Sequence, residues 1–313
     1  MPKPHSKNFL KKQDDKYFVV LDVGTTLVKA FIFDTRLNVV TKAYKHLHKK
    51  QPKAGWVEQS PQELLSVSEE TLRKVIAASG LAPSSFAALG ITNQRETTIC
   101  WDKSRGKALC PAIVWEDSRT EKICSDLGKK YGKLIRQKTG LYIDSYFSAS
   151  KIKWILENVA ETRQFVKNGE LAVGTVDSWL LYHFLDSNRH FTDYTNAART
   201  LLFDIKTLEW DLELLELFGI PPDILPQVLP SQSFFGDFKK SVFGFSLPLR
   251  AVCGDQQASM YSAGVEDGTT KVTYGTGTFV MQILGKKFAL FDDFFTTLVP
   301  NSKKPLYALE AKI

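Results

Sequence analysis

The sequence lacks the features that mark several classes of protein. Only four of its 313 residues are cysteines, and none stands in a C-x-x-C pair, so a zinc ribbon or a thioredoxin-like redox site is not indicated. The absence of any long uncharged apolar run excludes a transmembrane helix, and residues 1–16 lack the apolar core of a secretory signal. The chain contains neither a Walker loop, G-x-x-x-x-G-K-[ST], nor a G-x-G-x-x-G between strand and helix.

The distribution of charge also limits the function. The net charge is +7, and residues 1–16 hold five lysines and two aspartates, so that +3 of it lies in this basic segment, which we expect to be a mobile tail. The remaining charge is spread without a basic stripe between aromatics, which disfavours nucleic acid as a partner. A small anionic ligand such as a nucleotide explains the balance equally well. The four cysteines are expected to be free thiols in a reducing compartment: Cys100, Cys110, Cys124 and Cys253. This expectation predicts a cytoplasmic protein, and we expect no contact with a membrane.

Strand and helix patterns alternate along most of the chain. Tyr17 to Asp34 reads as two strands joined by a tight glycine turn, YFVVLDVGTTLVKAFIFD. A helix follows Ser60 as N-cap, with Pro61 in its first turn and Glu63 completing a capping box; its apolar face should cover a sheet. The sequence therefore predicts an α/β fold with a mixed sheet.

Further elements follow in the same manner. Phe86–Thr92 is predicted as a strand, with a hairpin-like stretch after it in TTICWD and CPAIVWED. Helices are predicted at Arg119–Leu127 and Ala149–Asn158, and Asp177 is a candidate N-cap of another. Later a helix stops at Gly219, and a strand breaks at Gly254 and Asp255 into a helix.

The pattern starts again beyond about Ser262. KVTYGTGTFVMQIL repeats the plan of the first hairpin, an apolar strand, a Gly/Thr turn and a second apolar strand. We therefore divide the chain into the tail at 1–16, a first domain at 17–261 and the beginning of a second, related domain at 262–313.

The two glycine turns have two interpretations each. In the first, Asp22-Val23-Gly24-Thr25-Thr26, the glycine permits close backbone approach and a φ unavailable to other residues, and backbone amides and threonine hydroxyls can face an anion. Asp22 is suited to a hydrated Mg²⁺. The alternative is an ordinary hairpin, and the same choice applies to Gly275-Thr276-Gly277-Thr278. Facing each other across a cleft, the two turns would hold the phosphates of a nucleotide from both sides.

Three charged residues lie at strand ends. Arg95 and Glu96 follow an apolar strand in GITNQRETT; they form either a surface ion pair or a site for a small polyol, whose hydroxyls need donors and acceptors. Asp255 is either an N-cap that satisfies amides near residues 257–258 or a general base that takes a proton from an attacking hydroxyl.

Several motifs together resemble one family. DVGTT, GWVEQSPQELL, GITNQRETTICWD, AIVWEDSRT, KTGLYIDSYFSASKIKWILEN, CGDQQAS and YGTGTF are similar, in order from about Tyr17 onward, to the glycerol branch of the sugar-kinase family. The resemblance implies an actin-like (ribonuclease H-like) ATPase fold followed by the incomplete start of a second similar domain. It implies phosphorylation of glycerol, with ATP and Mg²⁺ as cofactors.

The resemblance also implies residue roles. Asp255 would be the base, with Asp22 holding Mg²⁺ through water. Hydroxyl groups of glycerol would be bound by Arg95, Glu96, Tyr146, Asp255 and Gln256, and its carbon edge by Trp115 and Phe279. The nucleotide phosphates would meet Gly24, Thr25, Thr26, Lys29, Gly275 and Thr276.

This chain departs from the family pattern at four positions and in length. Leu27 replaces a hydroxyl residue, Lys29 an arginine, and Glu116 and Ser118 replace Gln and Arg, which predicts weaker nucleotide binding. Family members are longer, so we expect the adenosine pocket to be missing, activity to be reduced, and the last apolar strands to lack packing partners. Three alternatives remain: an inactive remnant that at most binds a ligand or partner, a kinase for another polyol or sugar, and a non-kinase actin-like ATPase, which would not need Arg95, Glu96 and Asp255 together. A second copy or another chain would be the partner that completes the cleft.

Overall fold

The computed structural model describes residues 16–186, 188–274, 278–301 and 304–312. The strands in these ranges are β1 (Tyr17–Val23), β2 (Leu27–Phe33), β3 (Val39–His46), β4 (Glu58–Gln59), β5 (Phe86–Asn93), β6 (Ile99–Asp102), β7 (Lys107–Ala108), β8 (Ala112–Ile113), β9 (Leu171–Gly174), β10 (Phe191–Asp193), β11 (Phe203–Asp204), β12 (Glu209–Trp210), β13 (Gln227–Leu229), β14 (Gly236–Asp237), β15 (Pro248–Gly254), β16 (Thr270–Thr273), β17 (Phe279–Gly285), β18 (Phe295–Val299) and β19 (Leu306–Lys312). The helices are α1 (Pro61–Ser79), α2 (Glu121–Thr139), α3 (Ser148–Asn158), α4 (Thr162–Lys167), α5 (Val176–Phe184), α6 (Tyr194–Ala197), α7 (Leu212–Phe218), α8 (Lys240–Phe243) and α9 (Asp255–Ala263).

A six-stranded sheet in the order β14-β15-β5-β1-β2-β3 forms the centre of the fold. β1 runs parallel to β5 and antiparallel to β2, and β15 runs parallel to β5, so the predicted mixed sheet is confirmed. Register places Val23 beside Asn93 and Asn93 beside Gly254. The carboxyl ends of β1, β5 and β15 therefore lie side by side at one edge of the sheet, which is the usual place for ligands in open α/β sheets.

Helix α1 covers one face of this sheet. The Ser60 side chain caps it by accepting from the Glu63 amide at 3.2 Å, and Gly80 ends it in the left-handed conformation. The other half of the expected capping box is replaced by a contact of 2.5 Å between the Glu63 carboxylate and Nδ1 of His48. The predicted apolar face is confirmed at its centre, where three side chains are fully buried against the sheet: Leu64, Leu72 and Val75.

A second hydrophobic core lies around α2, α3 and α7. Helix α2 extends to Thr139 rather than ending at Leu127, because Gly128 and Gly132 break the sequence pattern but stay helical. An added Cβ at Gly128 would approach Cγ2 of Ile143 to 2.8 Å, so close packing explains this glycine. None of the described helices is long and apolar enough to cross a bilayer.

Two local predictions are corrected by the structure. Thr175, rather than Asp177, precedes α5, and Asp177 lies buried in the first turn, where it accepts from the hydroxyls of Thr175 and Thr192. Burial and the neighbouring Asp193 raise the pKa of Asp177 to about 7. The predicted hairpin-like stretch after β5 is borne out in part: Thr98 of TTICWD and Ile113 of CPAIVWED exchange two backbone hydrogen bonds, at 2.9 and 3.0 Å. The longer pairings differ, since β6 pairs with β7 and β9, whereas β8 pairs with β4.

The four cysteines are free thiols, as predicted. Cys100, Cys124 and Cys253 are buried and Cys110 is half-buried. Burial raises the pKa of Cys110 to about 12, so this thiol stays protonated and unreactive at neutral pH.

A four-stranded antiparallel sheet, in the order β16-β17-β19-β18, follows α9. β16 and β17 are the two strands of the predicted second hairpin, and residues 275–277 of its turn lie outside the described residues. The expectation that these strands lack packing partners is wrong for both faces of the sheet. On one face Met281 belongs to a buried cluster with Met260 of α9, and on the other Leu298 belongs to a buried cluster with Phe203. Tyr274 remains 82% exposed.

Candidate active site

The turn between β1 and β2 lies at the sheet edge where β5 also ends. The Gly24 amide donates to the Leu27 carbonyl at 3.1 Å, which closes the turn. The Trp115 indole Nε1 donates to Thr25 Oγ1 at 2.9 Å, whereas Thr26 is exposed. The first threonine is therefore fixed against an aromatic side chain, and the second faces solvent.

Of the two reasons predicted for Gly24, an unusual φ and close backbone approach, the structure supports the second. Gly24 is absent from the glycines of positive φ, so the left-handed conformation expected there is wrong. A Cβ at this position would instead lie 3.1 Å from the Leu27 carbonyl oxygen, closer than nearly all such contacts. Close approach of the backbone across the turn explains the glycine.

Asp22 and Lys29 lie directly opposite each other on β1 and β2. Lys29 Nζ is 3.1 Å from Asp22 Oδ2, and both side chains are partly exposed. The lysine that the sequence suggested for phosphate binding thus already contacts the carboxylate suggested for Mg²⁺. A pair this exposed contributes about 0–1 kcal/mol, so a ligand can rearrange it at little cost.

Arg95 and Glu96 form a strained turn just after β5. The Thr97 amide donates to the Arg95 carbonyl at 2.7 Å, and Glu96 between them has φ 60°, so this is the rare γ-turn with positive φ. The hydroxyls of Thr98 and Ser148 each donate to the Glu96 carbonyl at 3.0 Å. Strain of this kind, held by surrounding hydrogen bonds, is typical of functional sites.

This strain predicts an unusual order of stability. We expect the Glu96→Gly variant to be more stable than Glu96→Ala, with a free energy of unfolding about 1 kcal/mol larger, because only glycine adopts positive φ without a penalty. Both variants lose the same carboxylate, so the difference reports the backbone. Urea unfolding measures it. Ser66 in α1 is the control, since there alanine should be the more stable substitution. Equal or reversed stability at Glu96 contradicts the strained turn.

Arg95, Glu96 and Asp255 converge on one point. Arg95 Nε is 3.4 Å from Asp255 Oδ1 and 3.9 Å from Glu96 Oε1. Arg95 and Glu96 are both buried, which rules out the surface ion pair considered from the sequence. The parallel register of β5 and β15 brings these side chains together, because both strands end at the same edge.

Asp255 is the first residue of α9, and Gly254 is its N-cap. The N-cap interpretation is therefore wrong for the position, although Asp255 Oδ1 accepts from the Gln256 amide at 2.7 Å. Burial raises the pKa of Asp255 to about 6 against the opposing effect of Arg95, while 37% of the side chain stays accessible. An accessible carboxyl that ionises near neutral pH has the properties of a general base.

Two site residues were missed from the sequence. Glu310 of β19 binds Arg95 through both oxygens, each 2.9 Å from a terminal guanidinium nitrogen. Arg199 is fully buried, and its Nε donates to Glu96 Oε1 at 2.6 Å. Arginine and glutamate are rarely fully buried unless paired, but no local pattern reveals such pairs, because the partners are 103 and 215 residues apart.

Aromatic side chains form one side of the site. The rings of Trp115 and Tyr146 are 5.5 Å apart and perpendicular. Lys151 is fully buried and donates to the carbonyls of Tyr146 at 2.8 Å and Phe147 at 3.3 Å, which fixes the loop that carries the tyrosine. Burial raises the pKa of Tyr146 and lowers that of Lys151, to about 8 for the lysine.

The remaining predicted residues belong to the second sheet or contact it. Gln256 Oε1 accepts from Lys271 Nζ at 3.1 Å and from the Thr273 hydroxyl at 3.3 Å, so its side chain is directed toward β16. Phe279 begins β17 opposite Thr273. The structure thus does not show a shared surface of Phe279 and Trp115. Gly275 and Thr276, which the sequence predicted for phosphate binding, lie outside the described residues.

Comparisons with known proteins identify the family of this chain. Residues 17–261 match the N-terminal domain of the FGGY family of carbohydrate kinases. Glycerol kinase 2 of Thermotoga maritima is 45% identical over 302 residues, 95% of this chain and 61% of the relative, and a Burkholderia cenocepacia glycerol kinase is 48% identical over 276 residues, 87% of this chain and 55% of the relative. A crystal structure of Plasmodium falciparum glycerol kinase with ADP aligns with a TM-score of 0.89 at 34% identity, covering 96% of this chain and 61% of that one.

The fold is therefore the actin-like (ribonuclease H-like) architecture of the FGGY carbohydrate kinases. The chain belongs to the FGGY family of carbohydrate kinases. Within that family it is similar to glycerol kinases, and it spans 55–61% of the length of the two curated relatives described.

Proposed function

We propose that this chain binds glycerol and catalyses its ATP-dependent phosphorylation to glycerol 3-phosphate, with Asp255 as the general base. The observation that carries the proposal is the convergence of Arg95, Glu96 and Asp255. The distances of 3.4 and 3.9 Å from Arg95 Nε to the two carboxylates are longer than hydrogen bonds. A hydroxyl oxygen lying beside these groups, at about 2.8 Å from both Nε and a carboxylate oxygen, accepts from the Nε–H group and donates its proton to the carboxylate.

The remaining groups complete a site for a triol. The Tyr146 hydroxyl supplies a further hydrogen bond, as does the amide nitrogen of Gln256, whose oxygen already accepts from Lys271 and Thr273. Trp115 packs against the carbon edge, and Phe279, at the start of β17, is assigned to the same edge from the second sheet. Among the described residues, both terminal nitrogens of Arg95 already bind Glu310, so its Nε edge is the part offered to substrate. Buried polar groups left unpaired by a smaller ligand would cost free energy, and this disfavours diols.

The nucleotide is proposed to lie against the first glycine turn. Gly24, Thr25, Thr26 and Lys29 face its phosphates, joined by Gly275 and Thr276 from the second hairpin. Asp22 fits a hydrated Mg²⁺, since its carboxylate is partly exposed and only loosely held by Lys29, and this ion binds few carboxylates directly. When bound, the ion neutralises phosphate charge. Dependence on ATP and the free thiols support a cytoplasmic location.

The transfer step moves one proton and one phosphoryl group. Asp255 accepts the proton of a glycerol hydroxyl as its oxygen bonds to the γ-phosphorus, and the bond from that phosphorus to the bridging oxygen of ADP breaks. Arg95 and Glu96 hold the other hydroxyls, so the reacting oxygen stays in line with the phosphate. Burial of these two side chains excludes competing water from their side of the substrate.

Glycerol and two matched diols test the proposal. 1,2-Propanediol and 1,3-propanediol each lack one hydroxyl, and we expect both to bind at least about 100-fold more weakly than glycerol in isothermal titration. ADP release in the presence of Mg-ATP should depend on glycerol in the same order.

The outcomes separate binding from chemistry. Equal affinity for glycerol and the diols, or no binding of any of them, refutes the substrate assignment. Selective glycerol binding without ADP release refutes catalysis by this chain and supports the binding remnant considered from the sequence.

A further inference from the structure

We propose that Arg199 and Glu310 are positioning residues, which hold the side chains of Glu96 and Arg95 in the geometry that receives the substrate. The inference rests on the proposed function and extends it to two residues with no role in substrate contact. Each substrate-facing residue has one buried partner of opposite charge behind it: Arg199 Nε lies 2.6 Å from Glu96, and Glu310 binds Arg95 with two contacts of 2.9 Å. Arg199 Nη2 also lies 3.3 Å from Glu310 Oε1, which links the two pairs.

The buried ion pairs made by Arg199 and Glu310 serve to orient the substrate-facing side chains rather than to stabilise the fold. Buried ion pairs often stabilise a fold no better than apolar residues of the same volume, because desolvation offsets their attraction. Arg199 illustrates the cost, since in the described residues its two terminal nitrogens make no hydrogen bond. Its guanidinium instead lies 4.9 Å from the Phe147 ring and 5.6 Å from the Phe295 ring. A chain that keeps such a group beside its substrate residues gains a fixed geometry from it.

Arg199 itself is held by the segment before it. Asp193 caps α6 by accepting from the amides of Thr195 and Asn196. Asn196 exchanges two side-chain hydrogen bonds with Asn93, the last residue of β5, at 3.0 and 3.2 Å. The Thr195 hydroxyl accepts from the Gly254 amide at 2.8 Å, just before Asp255. Residues 193–199 therefore brace both strand ends that carry the site.

The two buried arginines and the two buried glutamates have no net charge together. Replacing one of the four therefore changes the charge near Asp255, and the titration of Asp255 can measure that change. Arg95 and Arg199 balance Glu96 and Glu310. Burial alone would raise the pKa of Glu310, but the two guanidiniums outweigh it and lower that pKa to about 2, so the carboxylate stays charged. The charged and titratable groups that act on Asp255 come from three strands and the turn after β5: Arg95 and Glu96 of that turn, Asp22 of β1, Cys253 of β15 and Lys271 of β16.

Removing Arg199 or Glu310 should therefore shift the pKa of Asp255, in a direction set by the sign of the charge that is removed. Glu310→Gln leaves an excess positive charge, so the midpoint of Asp255 titration should fall by about one pH unit; Arg199→Met leaves an excess negative charge, so it should rise by about as much. Arg199→Lys keeps the positive charge but loses the planar guanidinium group. In this variant Asp255 should titrate near the pH at which it titrates in the unaltered protein. All three variants should bind glycerol at least about tenfold more weakly.

The experiment combines two measurements on the full chain. Carbon-13 NMR of aspartate-labelled protein, with Asp255→Asn to assign the signal, follows the titration without substrate, and isothermal titration measures glycerol affinity. Asp211→Asn is the matched control, because it removes a carboxylate paired with Lys138 and should change neither result. Thermal unfolding confirms that each variant is folded.

Each outcome decides the matter. Opposite shifts for Glu310→Gln and Arg199→Met, with weakened glycerol binding, support the positioning role. Shifts of the same sign, or unaltered glycerol affinity in folded variants while the parent protein binds glycerol, overturn it and leave the proposed function intact. No glycerol binding by the parent protein overturns the proposed function and the positioning role together.

Discussion

Replacing Asp255 with asparagine is expected to lower glycerol-dependent ADP formation by at least about 100-fold, the usual contribution of a general base. The amide keeps the shape of the carboxyl and can still accept from the Gln256 amide, so the start of α9 is preserved. It cannot take a proton from a glycerol hydroxyl. Glycerol affinity should change by less than about tenfold, because an amide still exchanges hydrogen bonds with hydroxyls. A coupled ADP assay and isothermal titration measure the two effects separately.

The pH profile provides the internal check on this prediction. A base must be ionised, and the pKa of Asp255 is raised to about 6, so kcat/KM of the unaltered protein should fall as the pH drops below about 6. The residual rate of Asp255→Asn should lack that acidic limb. Asp211→Asn, the same substitution at the N-cap of α7, should retain both the rate of ADP formation and the fall of kcat/KM at acidic pH. A variant at position 255 that keeps more than a fifth of the rate excludes this residue as the base.

Local patterns in the sequence predicted the elements that carry the site. The strand–turn–strand at Tyr17, the cap at Ser60 and the break at Gly254 each depend on residues within a few positions of one another, and the structure has all three. Gly24 shows the limit of such reasoning. Its position in a turn was evident, but whether φ or close packing requires glycine depends on atoms that only the folded turn brings near.

The long-range partners were not predictable for the same physical reason. Arg199 and Glu310 are placed by packing between elements far apart in the chain, and burial of a charge is visible only when both partners are known. Gln256 is a related case, since its direction toward Lys271 depends on how the second sheet meets α9. A buried charge network is thus a property of the tertiary fold, and sequence motifs identify only the members that a family resemblance names.

Arg95 should be the most sensitive position for stability. Arg95→Met leaves Glu310 buried without its bidentate partner and removes the positive charge beside Glu96 and Asp255. Loss of one partner of a buried pair costs about 3–5 kcal/mol, so we expect the free energy of unfolding to fall by that amount in urea titrations. The matched control is Arg73→Met, whose exposed pair with Glu69 contributes about 0–1 kcal/mol.

A second substitution then separates the cost of the unpaired charge from the cost of lost packing. Arg95→Met combined with Glu310→Met removes both members of the pair and leaves Arg199 to balance Glu96. Apolar replacements of a buried ion pair are often neutral or stabilising, so the double variant should recover at least about half of the loss. Glycerol binding should remain absent in it, because the Nε–H donor is gone. A double variant less stable than Arg95→Met alone contradicts this prediction, since it would mean that Glu310 stabilises the fold mainly through its contact with Arg199 rather than with Arg95.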